Sequence, residues 1–383
     1  MKELEIYIHI PFCMKKCAYC DFLSFPAEFT ERLTYVKRLI EEIRYYAPEF
    51  RDYRVSSVFL GGGTPSILEG YHISAVMREL SEQFQIEKDA EISVECNPGT
   101  LTAAKAEAFV EAGINRVSLG LQSADDGELR LLGRIHNFEQ FLESFDDARK
   151  AGCHNINVDL MSALPAQTPE SWERTLKKVA ALHPEHISAY SLILEEGTPF
   201  FERYREDELL RQKGGTPSAL PTEEEERRMY DLTGRFLARK GYARYEISNY
   251  ARPGRECRHN IGYWTRKNYL GLGLGASSLI ENIRFQNTSD LNVYMNRPFS
   301  HLEEQKLSRK EQMEEFMFLG LRLTEGISRA QFQKNFGTPI ESIYGDVVYD
   351  LKQEGFMQER EGRLFLTGRG IDVSNQILAE FLL

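Results

Sequence analysis

Residues 7–22, YIHIPFCMKKCAYCDF, carry three of the six cysteines in the chain, at Cys13, Cys17 and Cys20. Their spacing is C-x3-C-x2-C, and the run LEIYIHI, which ends just before them, predicts a β-strand. Six cysteines spread over 383 residues do not form a disulfide framework. Three thiols on one short loop after a strand therefore predict a metal or catalytic site.

Two kinds of metal site fit three thiols. A structural zinc ion takes four closed ligands, and the fourth would be His9 or a remote cysteine. An iron–sulfur cluster held by three thiolates instead leaves one iron open for a substrate or cofactor. The position directly after a strand favours the cluster, because zinc sites usually show C-x2-C pairs on both sides. The remaining thiols, at Cys96, Cys153 and Cys257, have no partner spacing.

The composition indicates a globular protein with one large and one smaller domain. Hydrophobic residues make up 42% of the chain and charged residues 27%, with a formal net charge of −11. The negative charge argues against broad nucleic-acid binding, which needs a basic surface. The start, MKELEIYIHI, has no basic stretch followed by an apolar one, and no run of about 18 apolar residues occurs. We therefore expect a cytoplasmic protein with reduced thiols and no transmembrane segment.

Short β-branched runs alternate with amphipathic helical stretches through the first half of the chain. The strand runs are LEIYIHI, VSSVFLG, EISVECN, RVSLGLQ, INVDLMS and HISAYSLIL. About six repeats of strand and helix predict parallel βα units, which form either an open doubly wound sheet or a barrel. The predicted fold class is therefore α/β.

Changes in sequence character divide the chain into three parts. We predict a βα core over residues 1–200, a linker or lid over 201–300 and a smaller domain over 301–383. The middle part opens with polar residues, Gly-Gly and an acidic helix start. The last part contains three helices and two short strands, which resemble a winged helix. Its 10 basic and 14 acidic residues favour an interaction or lid role over DNA binding.

Polar and glycine residues cluster where the predicted strands end. Because active sites of parallel barrels form at the carboxyl ends of the strands, these residues predict one shared site. They are Gly62, Gly63 and Thr64 of GGGTPS, Glu95 of VECNP, Gln122 of LGLQS, Arg134 of LLGRIH and Asp159 of NVDLMS. Glycines admit a close ligand, a strand-end glutamate suits ribose hydroxyls, and an arginine suits a carboxylate. The alternative roles are structural: a tight turn, a loop cap, core hydrogen bonds or a surface salt bridge.

The cysteine spacing, with Tyr19 before the third thiol, resembles the radical S-adenosylmethionine superfamily. The longer string in residues 7–22 is similar to one branch, the coproporphyrinogen dehydrogenase-like family of HemN and HemW proteins. The resemblance covers nearly the whole chain and implies a partial (βα)6 barrel with a helical carboxyl-terminal domain. It implies a [4Fe-4S] cluster on Cys13, Cys17 and Cys20, with S-adenosylmethionine on the open iron. It also implies cofactor contacts from nine residues: Tyr7, Tyr19, Gly62, Gly63, Thr64, Glu95, Gln122, Arg134 and Asp159.

Two departures separate this chain from the oxidases of that family. The oxidases carry a further cysteine two residues after the third, where this chain has Phe22. They also carry an arm before the first strand, where this chain has six residues before Tyr7. Both departures argue against decarboxylation of coproporphyrinogen III.

The string CRHNIGYW resembles the haem-binding motif of the haem-chaperone branch through His259, Asn260, Tyr263 and Trp264. Imidazole is a common ligand of haem iron, and tyrosine and tryptophan offer flat apolar surface to a porphyrin. The alternative is a loop that packs over the barrel mouth, and Cys257 is a second candidate iron ligand. The glycines of NYLGLGLGASS, which follow, predict close backbone approach near that mouth.

Three functions are consistent with these features. The resemblance favours a haem chaperone that carries the cluster and S-adenosylmethionine and passes haem to a haem-accepting protein such as a respiratory cytochrome. The second is an oxygen-independent coproporphyrinogen III oxidase of porphyrin biosynthesis. The third is a zinc-stabilised barrel without radical chemistry. Phe22 and the H-N-x-x-Y-W string favour the first over the second.

Overall fold

A computed structural model describes residues 1–383 as an α/β protein with fifteen strands and fifteen helices. The strands are β1 (Lys2–Ile10), β2 (Tyr53–Gly62), β3 (Ile86–Cys96), β4 (Arg116–Gln122), β5 (Ile156–Ser162), β6 (His186–Ser191), β7 (Ala243–Arg244), β8 (Asn249–Ala251), β9 (Tyr269–Leu272), β10 (Ser277–Ile280), β11 (Ile283–Gln286), β12 (Leu302–Lys306), β13 (Ile327–Ser328), β14 (Met357–Arg360) and β15 (Arg363–Leu366). The helices are α1 (Phe29–Tyr46), α2 (Gly70–Gln83), α3 (Ala103–Glu111), α4 (Asp126–Leu131), α5 (Phe138–Lys150), α6 (Pro169–Ala180), α7 (Pro199–Gln212), α8 (Glu223–Arg239), α9 (Arg258–Trp264), α10 (Leu291–Asn296), α11 (Arg309–Gly320), α12 (Arg329–Phe336), α13 (Glu341–Gln353), α14 (Gly368–Asp372) and α15 (Ser374–Ala379).

Strands β1 to β6 are parallel and lie side by side in chain order within a twelve-stranded sheet. Each is followed by at least one helix before the next strand begins. A doubly wound sheet would reverse its strand order at a switch point, and this sheet does not. The prediction of a partial (βα)6 barrel is therefore confirmed, and the open doubly wound sheet is wrong.

The residues of β1 show how the strands separate a helix-covered face from the barrel interior. Successive side chains of a strand point to opposite faces. The even-numbered positions are aliphatic and fully buried in the core: Leu4, Ile6, Ile8 and Ile10. Burial of each contributes about 1.5–3 kcal/mol. The alternate positions, Glu5, Tyr7 and His9, are polar or aromatic and face the interior.

Side-chain caps mark where several helices begin. In a capping box, the residue before the helix and the residue three positions later satisfy each other's backbone N–H groups. The structure has such pairs at Asn137 and Gln140, at Thr168 and Ser171, at Thr222 and Glu225, and at Ser308 and Glu311. None of the helices combines the length and the apolar character needed to cross a membrane.

Residues after β6 extend the same sheet at both edges. β8 pairs antiparallel with β6 and then with β7, whereas β9 pairs parallel with β1. β10, β11 and β12 continue outward from β9 in antiparallel order. The division of the chain at residues 200 and 300 stays a prediction, and the middle part supplies strands to the sheet of the first part.

The carboxyl-terminal unit has a hydrophobic core of its own, formed by α11 to α15 and a sheet of order β13-β15-β14. Helices α11 to α13 and the hairpin of β14 and β15 correspond to the three helices and two strands predicted for this part, whereas α14, α15 and β13 were not predicted. Glu315 of α11 joins it to the sheet, because the buried carboxylate accepts one hydrogen bond, at 2.8 Å, from Arg266 Nε and lies 2.8 Å from the Arg284 guanidinium on β11. Two guanidinium groups compensate for removing this carboxylate from water.

The glycine-rich segment between β9 and β10 packs against the end of β1. The Tyr35 hydroxyl donates to the His9 carbonyl oxygen at 2.8 Å and accepts from the Leu274 N–H at 2.9 Å. The Glu42 carboxylate accepts from the Gly273 N–H at 2.9 Å. Two side chains of α1 therefore fix this segment at the point where β1 leads into the cysteines.

We expect Gly273→Ala to destabilise the fold more than Gly152→Ala. Both glycines have positive φ, 99° and 95°, so alanine is strained at either position. At Gly273 a Cβ atom would also lie 2.6 Å from the His9 carbonyl oxygen, whereas at Gly152 no atom lies within 4 Å. The Gly152 variant should lose about 1 kcal/mol of unfolding free energy and the Gly273 variant about 2–4 kcal/mol. Equal losses in denaturant titrations would contradict the close approach.

Candidate functional site

A cavity of about 290 Å³ opens at the carboxyl ends of the parallel strands. Of the twelve residues predicted for the cluster and cofactor sites, all except Tyr7 border it. The eleven are Cys13, Cys17, Tyr19, Cys20, Gly62, Gly63, Thr64, Glu95, Gln122, Arg134 and Asp159. They come from the ends of five strands and the loops that follow them, as a barrel active site does.

The cysteine loop is held by backbone hydrogen bonds at its base and at its tip. At the base, the Cys13 N–H donates to the Phe25 carbonyl oxygen at 3.0 Å. At the tip, the Ala18 N–H donates to Leu132 at 3.1 Å, and the Ala18 carbonyl accepts from Phe200 at 2.9 Å. Because these bonds use no side chain of the loop, the three thiols are left for a ligand.

The three loop thiols fit an iron–sulfur cluster. All are partly exposed at the cavity, whereas the other three cysteines are buried. His9, the candidate fourth zinc ligand, uses both ring nitrogens within the protein, with Leu23 O at 2.9 Å and Tyr7 Oη at 3.0 Å. Cys96 also borders the cavity, but burial raises the pKa of its thiol and disfavours the thiolate that zinc needs. Three thiolates would leave one iron open towards the cavity.

The Gly-Gly-Thr turn after β2 is fixed directly against the cysteine loop. Gly62 has φ of 108°, and a Cβ there would lie 2.4 Å from the His9 ring. The Thr64 N–H donates to Phe12 O at 2.7 Å, and its hydroxyl lies 3.4 Å from Cys13 Sγ. The turn is tight, as the structural alternative expected, and it also places backbone and hydroxyl groups on the cavity wall.

Two carboxylates border the cavity, Glu95 next to the end of β3 and Asp159 in the middle of β5. Glu95 Oε2 accepts from the Gly62 N–H at 3.0 Å, and its Oε1 has no partner in the protein. Burial, with a smaller contribution from Asp159, raises the pKa of Glu95 to about 7. Asp159 accepts from Ser118 at 2.9 Å and from Asn157 at 2.8 Å. Glu95 therefore keeps an oxygen free for a ligand, whereas Asp159 is fixed by its neighbours.

Gln122 ends β4 in the left-handed region, with φ of 71°. A non-glycine residue held there costs on the order of 1–3 kcal/mol, and such strain concentrates at functional sites. Its side-chain oxygen accepts from the Tyr190 hydroxyl at 3.0 Å. Tyr190, at the end of β6, borders the cavity and was not predicted from the sequence.

Arg134 lies inside the site rather than on a surface helix. Its guanidinium donates to Asn97 Oδ1 at 2.7 Å and to Cys17 Sγ at 3.6 Å, and it forms no ion pair within the protein. Its Nε is buried without a partner. The surface-salt-bridge alternative is therefore wrong, and a cationic donor remains available for a ligand.

Asn97 is a site residue that sequence reasoning missed. Its amide nitrogen donates to Thr64 Oγ1 at 2.7 Å, while its oxygen accepts from Arg134. It thereby connects the turn after β2 with the arginine after α4. The available signal was its position two residues after Glu95, at the same strand end.

The two predicted cofactor tyrosines occupy different places. Tyr19 borders the cavity, with its ring 6.4 Å from that of Phe200. Tyr7 does not border the cavity, because its hydroxyl bonds to His9 and its ring stacks on Phe59 at 6.3 Å. A contact between Tyr7 and the cofactor stays a prediction.

The predicted haem residues lie on α9, and none of them borders the cavity. His259 exposes 1% of its surface, and both ring nitrogens are bonded, to Ser57 Oγ at 2.8 Å and to Tyr263 Oη at 3.1 Å. Burial, with a smaller contribution from Arg116, lowers its pKa to about 3, so the ring is neutral. Ser57 precedes the cavity residues of β2, so α9 packs at the other half of the barrel interior. The alternative of a loop over the barrel mouth is therefore wrong.

The other residues of that motif are half-buried or turned away from the cavity. Asn260 is half-buried, and Trp264 lies under the Arg322 guanidinium at 4.3 Å from its ring centroid. The Cys257 thiol is buried and lies 3.5 Å from Glu91 Oε1. A role for Cys257 as an iron ligand has no support from this position.

Glu5 is a buried carboxyl group beside α9, and the Nδ1 atom of the neutral His259 ring lies 3.8 Å from its Oε2. It exposes 1% of its surface, and neither carboxyl oxygen has a hydrogen-bond partner. Burial raises its pKa to about 8, although the Lys267 ammonium acts in the opposite direction. The group is therefore mostly protonated near neutral pH.

Comparisons with known proteins agree with this architecture. Residues 7–179 match the family model of the radical SAM superfamily, and residues 307–373 match that of the HemN C-terminal domain. A protein of Lactococcus lactis named "Heme chaperone HemW" is 35% identical, over 100% of this chain and 98% of its own length. The Bacillus subtilis protein of that name is 34% identical, over 98% of each chain. The solved structure of Escherichia coli HemN, a coproporphyrinogen III oxidase, aligns with a TM-score of 0.85 at 26% identity, over 100% of this chain and 90% of that one.

The fold and the three-thiol cavity define a radical S-adenosylmethionine protein. Within that superfamily, the chain belongs to the family of the HemW proteins, as its full-length similarity to them shows. The resemblance inferred from residues 7–22 is thereby confirmed. Membership of the superfamily implies a [4Fe-4S] cluster and S-adenosylmethionine.

We expect Arg134→Ala to weaken binding of S-adenosylmethionine to the reconstituted protein by about 1.5–3 kcal/mol, the range for a hydrogen bond to a charged group. The matched control is Arg130→Ala, which removes an exposed guanidinium from α4. Iron content should be measured in the same samples, because Arg134 also contacts Cys17. Unchanged affinity in an iron-loaded Arg134 variant would remove Arg134 from the cofactor site.

We expect wild type to lose stability relative to Glu5→Gln as pH rises. The folded-state pKa of Glu5, about 8, lies above its usual 4.5, so the folded chain binds the extra proton between these values. Stability therefore falls as pH rises through this interval and stays low above it. Between about pH 5 and about pH 9, the difference in unfolding free energy should change by about 2–4 kcal/mol. Exposed Glu143→Gln is the control, and parallel pH profiles for wild type and Glu5→Gln would refute the burial argument.

Proposed function

We propose that this protein is a haem chaperone, which binds haem and transfers it to a haem-accepting protein such as a respiratory cytochrome. The observation that carries this proposal is full-length similarity, at 34–35% identity, to proteins named as heme chaperones. The oxidase of similar fold is only 26% identical. We further propose that the protein acts in the cytoplasm, a compartment in which thiols stay reduced.

The cavity residues would hold the cluster and S-adenosylmethionine. The three loop thiolates, Cys13, Cys17 and Cys20, would each ligate one iron. Arg134 would bind the cofactor carboxylate through donors that include its unpaired Nε. Glu95 would accept hydrogen bonds from ribose hydroxyls through Oε1. When bound, the cluster supplies electrons that can reduce the sulfonium of the cofactor, while the barrel orients it and excludes water.

The neighbouring groups of the haem-motif residues restrict how they could act. For His259 to ligate iron, it must release Ser57 or Tyr263, because both ring nitrogens are occupied. For Trp264 to stack on a porphyrin, it must separate from Arg322. Helix α9 must therefore move before His259 can ligate haem iron and before Asn260, Tyr263 and Trp264 can contact the porphyrin.

The second candidate function is an oxygen-independent coproporphyrinogen III oxidase. The observation that favours it is the TM-score of 0.85 with the Escherichia coli oxidase. The observation against it is Phe22, an exposed phenylalanine at the cavity where the oxidase pattern has a thiol. The shared fold supports both functions, whereas the side chain at this position supports the chaperone.

One anaerobic comparison distinguishes the two functions. The reconstituted, reduced protein with S-adenosylmethionine receives coproporphyrinogen III in one sample and haem in another. We expect a haem complex with a Soret band and no protoporphyrinogen IX, followed by haem transfer to a haem-free respiratory cytochrome. The Escherichia coli oxidase serves as the positive control, and it must decarboxylate coproporphyrinogen III under the same conditions. Protoporphyrinogen IX from this protein would establish the oxidase instead.

A further inference from the structure

Exposed apolar side chains border the cavity and a smaller cavity that adjoins it. Met14, Phe22 and Ile135 expose 58%, 64% and 55% of their surface. Met14 and Phe22 belong to the cysteine loop and its continuation, and Ile135 directly follows Arg134. A single exposed apolar residue needs no explanation, but three beside two adjoining cavities indicate a binding surface.

Two lysines join these side chains into one surface. Lys16 Nζ donates to the Phe22 carbonyl oxygen at 3.0 Å. Lys15 borders both the main cavity, with Phe22, and a smaller adjoining cavity, with Met14 and Ile135. We name these five residues the mouth rim: Met14, Lys15, Lys16, Phe22 and Ile135.

The cationic groups of the mouth rim are available to a ligand. Neither Lys15 nor Lys16 forms an ion pair within the protein, and the one carboxylate on this loop is the exposed Asp21. The loop therefore carries net positive charge in a chain whose formal charge is −11. A local patch of opposite sign attracts an anionic ligand and orients its approach.

We propose that the mouth rim is the haem-binding surface, with Phe22, Met14 and Ile135 against the porphyrin ring and the two lysines paired with the propionates. This inference rests on the proposed function. Haem matches the surface because it is flat and apolar over its ring and carries two carboxylates. Phe22 offers aromatic area, and Met14 and Ile135 offer aliphatic area beside it. A thiol in place of Phe22 would offer less of this surface.

The apolar side chains of the mouth rim are exposed to solvent, whereas the haem-motif residues of α9 are buried or half-buried. The 1% exposure of His259 excludes contact with a porphyrin unless the helix leaves the barrel. The exposed fractions around the cavity exceed one half without any rearrangement. Binding at the mouth rim would place haem beside the cluster and cofactor site.

The test is a titration of the full-length, cluster-loaded protein with ferric haem, followed by Soret absorbance. We expect Phe22→Ala and the double variant Lys15→Glu, Lys16→Glu each to weaken haem binding about tenfold, which corresponds to about 1.4 kcal/mol. Ile135→Ser lies outside the cysteine loop and should act in the same direction. The controls are Tyr349→Ala and Lys150→Glu, which alter exposed residues that border neither cavity and should change affinity less than about twofold.

A second ligand isolates the propionate contacts. Haem dimethyl ester lacks both carboxylate charges, so the double lysine variant should bind it as wild type does, while Phe22→Ala should still bind it weakly. Iron and sulfide content must match wild type in every variant, because the lysines lie between cluster cysteines.

The outcomes separate this inference from the function on which it rests. If wild type binds no haem, the proposed function fails. If wild type binds haem and the mouth-rim variants bind equally well while His259→Ala binds poorly, the chaperone stands and the mouth rim is refuted. Weak binding by the mouth-rim variants, with His259→Ala unchanged, supports the mouth rim over α9.

Discussion

The rest of this structure depends on one constraint. A loop whose three thiols bind a cluster must be held in place by bonds that do not involve those thiols. Backbone hydrogen bonds hold the loop in this way, from Cys13 to Phe25 at its base and between Ala18 and both Leu132 and Phe200 at its tip. Phe12, beside the first thiol, is buried between Phe25 and Tyr35. The backbone and the buried Phe12 therefore hold the loop against its neighbours without using the thiols.

The support continues away from the cluster through buried polar groups. Glu42 accepts hydrogen bonds from the Gly273 N–H, the Asn287 amide and the Tyr294 hydroxyl, which together hold the glycine-rich segment against β1. Burial raises the pKa of Glu42 to about 7, and these donors offset part of that effect. A satisfied network of this kind gives a rigid support, whereas Glu5, at the other half of the barrel, has no such partners.

The sequence allowed the strands and most of the cavity to be predicted, for a physical reason. Parallel strands end at one edge of the sheet, so polar residues at successive strand ends, such as Glu95 and Gln122, must converge whatever their distance in the chain. Asn97 and Tyr190 were not predicted, because their roles depend on hydrogen-bond partners that are distant in the chain. The burial of His259 inside the barrel was not predicted for a related reason. The sequence of a short helix with one histidine does not indicate which end of a barrel the helix packs against.

The central claim is that three thiolates hold an iron–sulfur cluster with one iron left open, and the metal content of the protein tests it most directly. Protein purified without oxygen should be brown and contain about four irons and about four sulfides per chain. The Cys17→Ala variant should lose them, because the loop has no spare thiol nearby except the buried Cys96. Stoichiometric zinc without iron or sulfide, in protein that lacks visible charge-transfer absorption, would contradict the account.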